Sequence, residues 1–322
     1  MLSILLELAH QNGLEIAFID WLENANHFCN SLVDRIVPGK FSPAGNALVQ
    51  AQLGYEDELM IMCEEYALWA IQTNSEKVKS VLSFAGADNT TVLAPDISKF
   101  REIKLRLLNG SHTFSAALAS LAGFTTVKEA MADASFNNFI RRLMQEAIIP
   151  AIESETITAS EAKSFAAAVI DRYSNPYVDH LWANICTQSA SKMVTRNLQL
   201  LTNYADRFGE PSPFMSLGLA AQILYMNTSL EADGKYYGTL NGKKYLVTDQ
   251  HAALYRQAWQ QADASKAVNI ILQAEELWGT NLSKFPGLTA SVTSWIQLLQ
   301  QEGAAAAMQA ALGEKLLSTN EE

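Results

Sequence analysis

The chain has few basic residues and no long apolar run. Its 322 residues include 23 lysines and arginines against 34 aspartates and glutamates, which gives a formal net charge of −11. An acidic protein has little general affinity for the phosphate backbone of DNA or RNA, and an anionic small substrate would need a local cationic pocket. No uninterrupted stretch reaches the roughly 18 apolar residues that a membrane-spanning helix requires. We therefore expect a soluble protein with neither nucleic acid nor a membrane as partner.

Cysteine is equally scarce. The three cysteines lie far apart and form no CxxC pair: Cys29, Cys63 and Cys186. This spacing suggests neither a disulfide framework nor a cysteine-rich zinc site. A reducing compartment suits such a chain, and we expect a cytoplasmic protein.

Several motifs of common enzyme classes are also missing. The five histidines show no HxxxH spacing, so no metal ion is expected. No serine lies in a GxSxG elbow, and no GxGxxG dinucleotide fingerprint follows a strand. The sequence therefore shows no sign of a metallohydrolase or a serine hydrolase.

The first hundred residues have a mixed helical and β-rich character. The segment 28–37 (FCNSLVDRIV) runs into the breaker pair Pro38-Gly39, which favours a helix-to-strand transition followed by a loop. Segments 58–72 and 90–94 are β-rich and predict two or three sheet strands. Beyond Asp96 this mixed pattern ends.

From Lys99 onward the sequence is typical of successive amphipathic helices separated by glycine and proline. Asn241-Gly242, flanked by aromatic and β-branched residues, predicts a surface hairpin over residues 235–247. Asn175-Pro176 favours the start of a helix. We predict a mainly α protein, with an α/β part over residues 1–97 and a helical domain over residues 98–322.

The segment most suited to chemistry is FREIKLRLLNGSHT at residues 100–113, which contains Lys104, Asn109 and His112. At about 100° per residue, His112 lies about 80° and Asn109 about 140° around a helix axis from Lys104, so the three side chains could face one cleft. Such a trio suits carbonyl chemistry, in which the lysine exchanges a proton, the amide donates to an alkoxide and the histidine orients a hydroxyl. The alternative is a solvated lysine, a capping asparagine and a core histidine.

Two further groups of charged residues could line a pocket. Lys192 and Arg196 are one helical turn apart and, with Arg172, could hold a carboxylate; a solvated basic face is the alternative. Asp34 and Arg35 interrupt an apolar run, and because an unpaired buried charge is costly they should pair or line a polar cavity. A local structural ion pair explains them equally well.

The residues quoted so far resemble a known family. KLRLLNGSH at 104–112, with NSLVDRIVPG at 30–39 upstream and RYSNPYVDH at 172–180 downstream, is similar to the polyol-specific long-chain dehydrogenases, also called the mannitol dehydrogenase family. The resemblance extends over most of the chain. It implies a Rossmann-type NAD-binding domain followed by a helical catalytic domain, with no metal.

The resemblance also implies where the cofactor binds. Residues 1–97 would be the C-terminal remnant of the nucleotide-binding domain, and most NAD-binding residues, including the phosphate-binding turn, would lie upstream of Met1. The helical domain, residues 98–322, would supply the substrate site. Oligomeric state is not specified by these features.

The resemblance further implies roles for single residues. Lys104 would be the general acid and base, Asn109 the oxyanion donor and His112 the residue that orients the substrate. Asp34, Arg172 and Lys192 would lie in the substrate pocket or beside the cofactor. The family's mannitol-specific members have an acidic residue three positions before the lysine, where this chain has Arg101, which disfavours a neutral polyol.

Within the family, the phrases at 20–39 and 175–196 are most similar to those of the hexuronate-reducing members. They imply NAD-dependent, reversible reduction of tagaturonate to altronate, a sugar acid, in hexuronate catabolism. Lys192 and Arg196, with Arg172 and Arg101 as further candidates, would bind its carboxylate. The alternatives are a fructuronate or mannitol-type 2-ketose reductase, or a truncated helical fragment without catalysis.

Overall fold

A computed structural model describes residues 1–87, 89–261 and 263–313. The chain divides into two compact units, each of which makes most of its contacts within itself. The first comprises Met1–Ile36 and Glu64–Arg101, and the second comprises Val37–Cys63 and Glu102–Glu322. Residues 37–63 thus group with the helical part, which the sequence did not predict. The boundary after residue 97 remains a prediction.

The elements before residue 98 are, in chain order, α1 (Leu2–Gln11), α2 (Ile16–Asn24), β1 (Ser31–Asp34), α3 (Pro43–Leu53), β2 (Leu68–Gln72), α4 (Glu76–Val81), a 3₁₀ turn (Ser83–Gly86) and β3 (Thr91–Ala94). All but α3 belong to the first unit. Strand β2 lies at the centre of a three-stranded sheet, antiparallel to β1 and parallel to β3, with Trp69 opposite Thr91. The predicted strands are present, although β2 occupies only the last five residues of the segment 58–72.

The second unit holds the remaining elements. They are α5 (Ser98–Ile103, which begins in the first unit), a π-helical turn (Lys104–Gly110), α6 (Ser111–Leu121), α7 (Val127–Ala132), α8 (Ala134–Arg142), a second π-helical turn (Leu143–Ile148), α9 (Ile149–Ile152), α10 (Ala159–Tyr173), α11 (Trp182–Cys186), α12 (Ser189–Phe208), α13 (Pro213–Tyr225), β4 (Ser229–Leu230), β5 (Tyr236–Leu240), β6 (Lys243–Val247), α14 (Ala252–Gln261), α15 (Ala264–Gln273), α16 (Glu275–Trp278), a 3₁₀ turn (Leu282–Lys284), α17 (Leu288–Gln301) and α18 (Gly303–Ala311).

The core of the second unit forms around α13, which packs against α6 and α17. This helix is apolar on nearly all sides, as expected of a helix surrounded by others. At Gly218 a Cβ atom would lie 2.6 Å from the carbonyl oxygen of Phe114, so only glycine permits the close approach of α13 to α6. The packing therefore fixes α6, which contains His112 and directly follows the segment with Lys104 and Asn109.

The predicted hairpin is present as β5 and β6, joined by Asn241 and Gly242. Both turn residues have positive φ, 48° and 75°, the conformation of a two-residue type I′ turn. Strand β4 adds a third strand. The Tyr245 ring lies over Gly238 and stacks on Tyr225, which attaches the hairpin to α13.

The predicted helix start at Pro176 is wrong. Helix α10 ends at Tyr173, and no helix begins before Trp182. Asn175 Oδ1 accepts the backbone N–H of Tyr177 at 3.0 Å, which forms a turn, and the next residues pair with the chain before α7 through the Thr126–Leu181 bridge. These contacts outweigh the local preference of the Asn-Pro pair. Within the described ranges, no helix is both long and apolar enough to cross a bilayer.

Candidate active site

Lys104, Asn109 and His112 lie on one continuous helical segment whose middle is not α-helical. Lys104 is the first residue of the π-helical turn, Asn109 is its sixth, and His112 is the second residue of α6. Because π-helical hydrogen bonds run from i to i+5, five residues complete little more than one turn. The π turn thus brings Asn109 back towards the face of Lys104, and the separation of about 140° expected for a uniform α-helix is wrong. That all three share one cleft stays a prediction.

Side-chain hydrogen bonds stabilise this π turn. The Tyr173 hydroxyl donates to the carbonyl oxygen of Leu108 at 2.7 Å and lies 3.0 Å from Ser111 Oγ. Asn197 Nδ2, on α12, donates to the carbonyl oxygen of Gly110 at 3.2 Å. Both carbonyl groups lie next to Asn109 along the chain. The backbone that presents this amide is therefore fixed from two neighbouring helices, α10 and α12.

Arg106 also links the same turn to α12. Its Nη1 donates to the carbonyl oxygen of Arg196 at 2.5 Å, and its Nε pairs with Glu102 at 2.7 Å. Arg106 is buried, and because it is paired its charge can be tolerated there. It therefore serves the architecture of the turn.

His112 is the most enclosed member of the trio, with 5% of its surface exposed. Its ring stacks on Tyr173, with centroids 4.0 Å apart, and meets His180 at 5.3 Å and Trp182 at 5.9 Å edge to face. Burial holds the pKa of His112 well below its usual range, and the nearby His180 and cationic side chains lower it further. His112 is therefore a neutral imidazole at pH 7, suited to hydrogen bonding.

Three cations interact with His112: Arg172, Lys192 and Arg196. Lys192 and Arg196 lie one turn apart on α12, as predicted, and Arg172 is in the last turn of α10. Lys192 Nζ donates to the carbonyl oxygen of Ile185 at 2.9 Å, and Arg196 Nη1 donates to Thr113 Oγ1 at 3.2 Å. Burial and the neighbouring Arg196 lower the pKa of Lys192. A solvated basic face does not describe these cations, since Arg172 is buried and Lys192 and Arg196 are half-buried, and together they concentrate positive charge beside His112.

Family models match nearly the whole chain. The model described as the mannitol dehydrogenase C-terminal domain matches residues 96–300, and that of the mannitol dehydrogenase Rossmann domain matches residues 4–83. The chain belongs to the mannitol dehydrogenase family. The predicted fold class, a helical domain preceded by a Rossmann-like part, is confirmed.

Curated relatives of this mannitol dehydrogenase family chain include two named altronate oxidoreductase. The protein of Halalkalibacterium halodurans is 34% identical over 305 residues, and that of Bacillus subtilis is 32% identical over 302 residues. Each alignment covers 92% of this chain and 58% of the relative. The chain thus spans under two thirds of the length of these relatives.

Two solved structures share the fold. A Pseudomonas fluorescens mannitol 2-dehydrogenase, in a ternary complex with NAD and D-mannitol, has a TM-score of 0.73 at 23% identity. A D-sorbitol dehydrogenase in substrate-free form has a TM-score of 0.68 at 18% identity. Both alignments cover 94% of this chain and 58% of the other chain. At these identities the likeness concerns the fold alone.

One residue that the mannitol dehydrogenase resemblance singled out, Asp34, belongs to the first unit. Asp34 is buried at the end of β1, in the first unit, and its role in a pocket stays a prediction. Its neighbour Arg35 donates through Nε to the carbonyl oxygen of Glu64 at 2.9 Å. Glu64 Oε1 in turn accepts the N–H of Ile36 at 2.6 Å. Arg35 is thus part of the local structure of the first unit.

Sequence reasoning missed Tyr173, His180 and Trp182 as parts of this site. Tyr173 and Trp182 look like ordinary core aromatics, and nothing local shows that Tyr173 contacts a residue 65 positions earlier. The only signal was that Tyr173 and His180 lie in the segment 172–180 that carries the family resemblance. No group of three His, Cys, Asp or Glu side chains in the described parts of the chain could hold a metal ion.

Proposed function

We propose that this chain carries the substrate site of an NAD-dependent oxidoreductase that interconverts tagaturonate and altronate. The observation that carries the proposal is the helical segment with Lys104, Asn109 and His112, whose histidine lies in a cluster of three cations. The names of the relatives at 32–34% identity support the same substrate. This proposal concerns the whole reaction, of which these residues would perform the proton transfer and the binding of the sugar.

The side chains suit the reduction of a ketone. NADH, when bound, supplies the hydride that reaches the carbonyl carbon. Negative charge then grows on the carbonyl oxygen, where the Asn109 amide donates a hydrogen bond and the Lys104 ammonium delivers a proton. In the oxidation of altronate, neutral Lys104 accepts the proton from the hydroxyl group. His112, neutral and firmly packed, orients the substrate.

We assign the binding of NAD to no residue of this chain. The donor set of Lys104 and Asn109 fits a reaction in which an alkoxide forms and is protonated, which is the chemistry of a nicotinamide-dependent reductase. The sequence has no GxGxxG turn to bind a pyrophosphate. We therefore place only the substrate and the proton transfer on these residues.

The cations account for an acidic substrate. A carboxylate that enters a partly buried site needs charged donors, and Arg172, Lys192 and Arg196 lie close enough to interact electrostatically with one imidazole. Tagaturonate and fructuronate both carry such a carboxylate, whereas fructose does not. Comparison of these three ketoses therefore separates the proposed activity from its alternatives.

The first test replaces the proton donor. In an assay of NADH oxidation with tagaturonate, measured on the chain joined to a complete nucleotide-binding domain, Lys104→Met should lower kcat by about 10²–10⁴-fold with a smaller change in KM, because proton transfer occurs in the transition state. Lys163→Met, the same substitution on the exposed face of α10, serves as the matched control and should leave both constants unchanged. Turnover of Lys104→Met close to that of the control would contradict the role of Lys104.

The second test addresses the carboxylate by calorimetric binding. Lys192→Met should weaken the binding of altronate about 10–100-fold, because a hydrogen bond to a charged group contributes roughly 1.5–3 kcal/mol. The binding of altritol, the uncharged polyol of the same configuration, should change little. Equal losses for altronate and altritol would show that Lys192 supports the fold, and would favour the mannitol-type alternative.

We also propose a cytoplasmic location. All three cysteines are free thiols, and burial raises the pKa of Cys186 to about 11, so it is an unreactive packing residue. Free thiols on the surface, such as Cys63, are characteristic of reducing compartments. Fractionation of the source cells and detection of the protein with an antibody would test this location.

A further inference from the structure

Side chains donate hydrogen bonds to four consecutive backbone carbonyl groups of the first π turn, those of residues 107–110. The donors, in that order, are Ser111 at 2.5 Å, Tyr173 at 2.7 Å, Thr113 at 2.8 Å and Asn197 at 3.2 Å. The third of these carbonyl groups belongs to Asn109, the proposed oxyanion donor. Thr113 therefore holds the backbone of Asn109 at its own carbonyl group, between the bonds made by Tyr173 and Asn197.

Behind the Thr113 hydroxyl group lies a cation. Thr113 Oγ1 accepts a hydrogen bond from Arg196 Nη1 at 3.2 Å, which joins α6 to α12. A guanidinium group only donates and a carbonyl group only accepts, so the single hydroxyl proton of Thr113 must point to Asn109. A charged donor also polarises the hydroxyl group and strengthens the bond that the hydroxyl group makes in turn. Arg196, Thr113 and Asn109 thus form a hydrogen-bonded chain with one direction.

Both ends of this hydrogen-bonded chain are anchored, and its middle is shielded from water. Thr113 is 5% exposed, so solvent is a poor substitute for either of its bonds. Arg106, in the π turn, donates to the backbone carbonyl oxygen of Arg196 at 2.5 Å, which fixes the arginine where it leaves α12. Loss of the Thr113 hydroxyl group would therefore leave both the Asn109 carbonyl and the Arg196 guanidinium without this partner.

The position of the Asn109 backbone matters for the reaction. An amide that stabilises a growing alkoxide must already lie in place, and a displacement of about 1 Å in such a site can cost about 10²-fold in rate. Asn109 is half-buried, and its short side chain has only two dihedral angles, so the amide follows the backbone closely. A bond to the backbone carbonyl of Asn109 therefore controls where the amide donates.

We infer that Thr113 is a positioning residue, which holds Asn109 in place to stabilise the alkoxide, and that Arg196 contributes to turnover through Thr113. The inference rests on the proposed function, since it takes Asn109 as the oxyanion donor. This role of Arg196 is separate from its place among the three cations beside His112. It concerns the reacting oxygen, which charged and neutral ketoses share, and not the carboxylate.

The test measures NADH oxidation with tagaturonate, fructuronate and fructose, on the chain joined to a complete nucleotide-binding domain. Thr113→Val keeps the shape of the side chain and replaces the hydroxyl group with a methyl group. We expect kcat to fall about 10–100-fold, KM to change less, and the factor to be the same for every ketose that the wild type reduces. Thr113→Ser keeps the hydroxyl group and should restore most of the turnover. Thr113→Ala repeats the test if the valine variant does not fold.

Two control variants separate positioning from general stability. Ser115→Ala removes another fully buried hydroxyl group of α6, whose bond of 2.6 Å goes to the carbonyl oxygen of Ser111, beyond the π turn. It should lower stability towards urea and leave kcat unchanged. Thr195→Val removes a bond of 2.9 Å to the carbonyl oxygen of Ser191 on the exposed face of α12, and should change neither. A loss of kcat in Ser115→Ala equal to that in Thr113→Val would overturn the inference.

A double variant tests whether Arg196 acts through Thr113. Arg196→Met alone should lower kcat, whereas in the Thr113→Val background it should lower kcat no further, because the hydrogen-bonded chain is already broken. Losses of kcat that multiply would overturn the role of Arg196. Wild-type turnover in Thr113→Val, or no recovery in Thr113→Ser, would overturn the role of Thr113 and leave the proposed function intact. Absence of turnover by the wild type with all three ketoses would overturn both proposals.

Discussion

Gly110→Ala is the substitution whose effect the structure specifies most closely. Gly110 ends the π turn with φ of −68°, so it is not required for its backbone conformation. A Cβ atom there would lie 2.8 Å from Asn197 Oδ1 and 3.6 Å from Leu200 Cδ1. In an open helix, alanine would be more stable than glycine by about 1 kcal/mol. Here the missing side chain is what lets α12 approach.

The clash cannot be relieved cheaply. Asn197 is fully buried on α12, and its Nδ2 donates to the carbonyl oxygen of Gly110 itself. Either that hydrogen bond breaks or α12 moves away from the π turn. We expect the free energy of unfolding to fall by about 1–3 kcal/mol, the usual cost of overpacking a well-filled core. Turnover should also fall, since Arg196 and Asn109 are the sequence neighbours of the two residues forced apart.

Urea unfolding followed by tryptophan fluorescence measures the effect. Gly86→Ala is the control, because nothing lies within 4 Å of a Cβ atom there, and it should change stability little. The sharper test is the double variant Gly110→Ala, Asn197→Ala, which removes the clashing amide. It should be more stable than the sum of the single changes predicts, by about 1 kcal/mol or more. Strict additivity, or a Gly110→Ala protein as stable as the wild type, would refute the steric argument.

Two further predictions concern the surroundings of His112. Tyr173→Phe keeps the ring that stacks on His112 but leaves the Leu108 carbonyl without its donor. The free energy of unfolding should therefore fall by about 1–3 kcal/mol, and kcat should fall more than KM changes. Tyr177→Phe, at a residue 85% exposed, is the control, and equal effects of the two substitutions would contradict the role of the Tyr173 hydroxyl. The pKa of His112 is lowered in the folded protein, so the unfolded chain binds more protons than the folded chain below about pH 6.5. The contribution of neutral His112 to stability should therefore be fully present above that pH and be lost as the pH falls towards the folded pKa. The stability difference between wild type and His112→Gln should therefore change with pH below 6.5 in urea titrations, and a constant difference would show that His112 is not protonated on unfolding.

The features predicted from the sequence are those encoded by neighbouring residues. The hairpin follows from Asn241-Gly242, whose backbone preference is local, and the pairing of Lys192 with Arg196 on one face follows from helical spacing alone. Pro176 shows the limit, because a tertiary bridge overrode its local preference for a helix start. Local signals are reliable where no distant contact competes with them.

The π turn shows a different limit. No residue type distinguishes KLRLLNG from an ordinary α-helical segment, and the turn depends on Tyr173 and Asn197, which lie 65 and 87 positions further along the chain. The residues that carry the candidate chemistry could be named from the sequence, but their angular arrangement could not. The same holds for His180, whose unsatisfied nitrogen atom is visible only once Trp182 and His112 surround it.

The π turn has a consequence for comparing and redesigning proteins of this type. A turn with hydrogen bonds from i to i+5 holds one residue more than the α-helical turn that it replaces, whose bonds run from i to i+4. Deletion of one residue between Lys104 and Gly110 would therefore favour plain α-helix and leave α5 and α6 in register with each other. Residues 111–119 of α6 are all buried and would keep their neighbours, whereas a deletion within α6 itself would turn the residues beyond it by about 100°. A one-residue gap in a sequence alignment is therefore acceptable between Lys104 and Gly110 but not within α6.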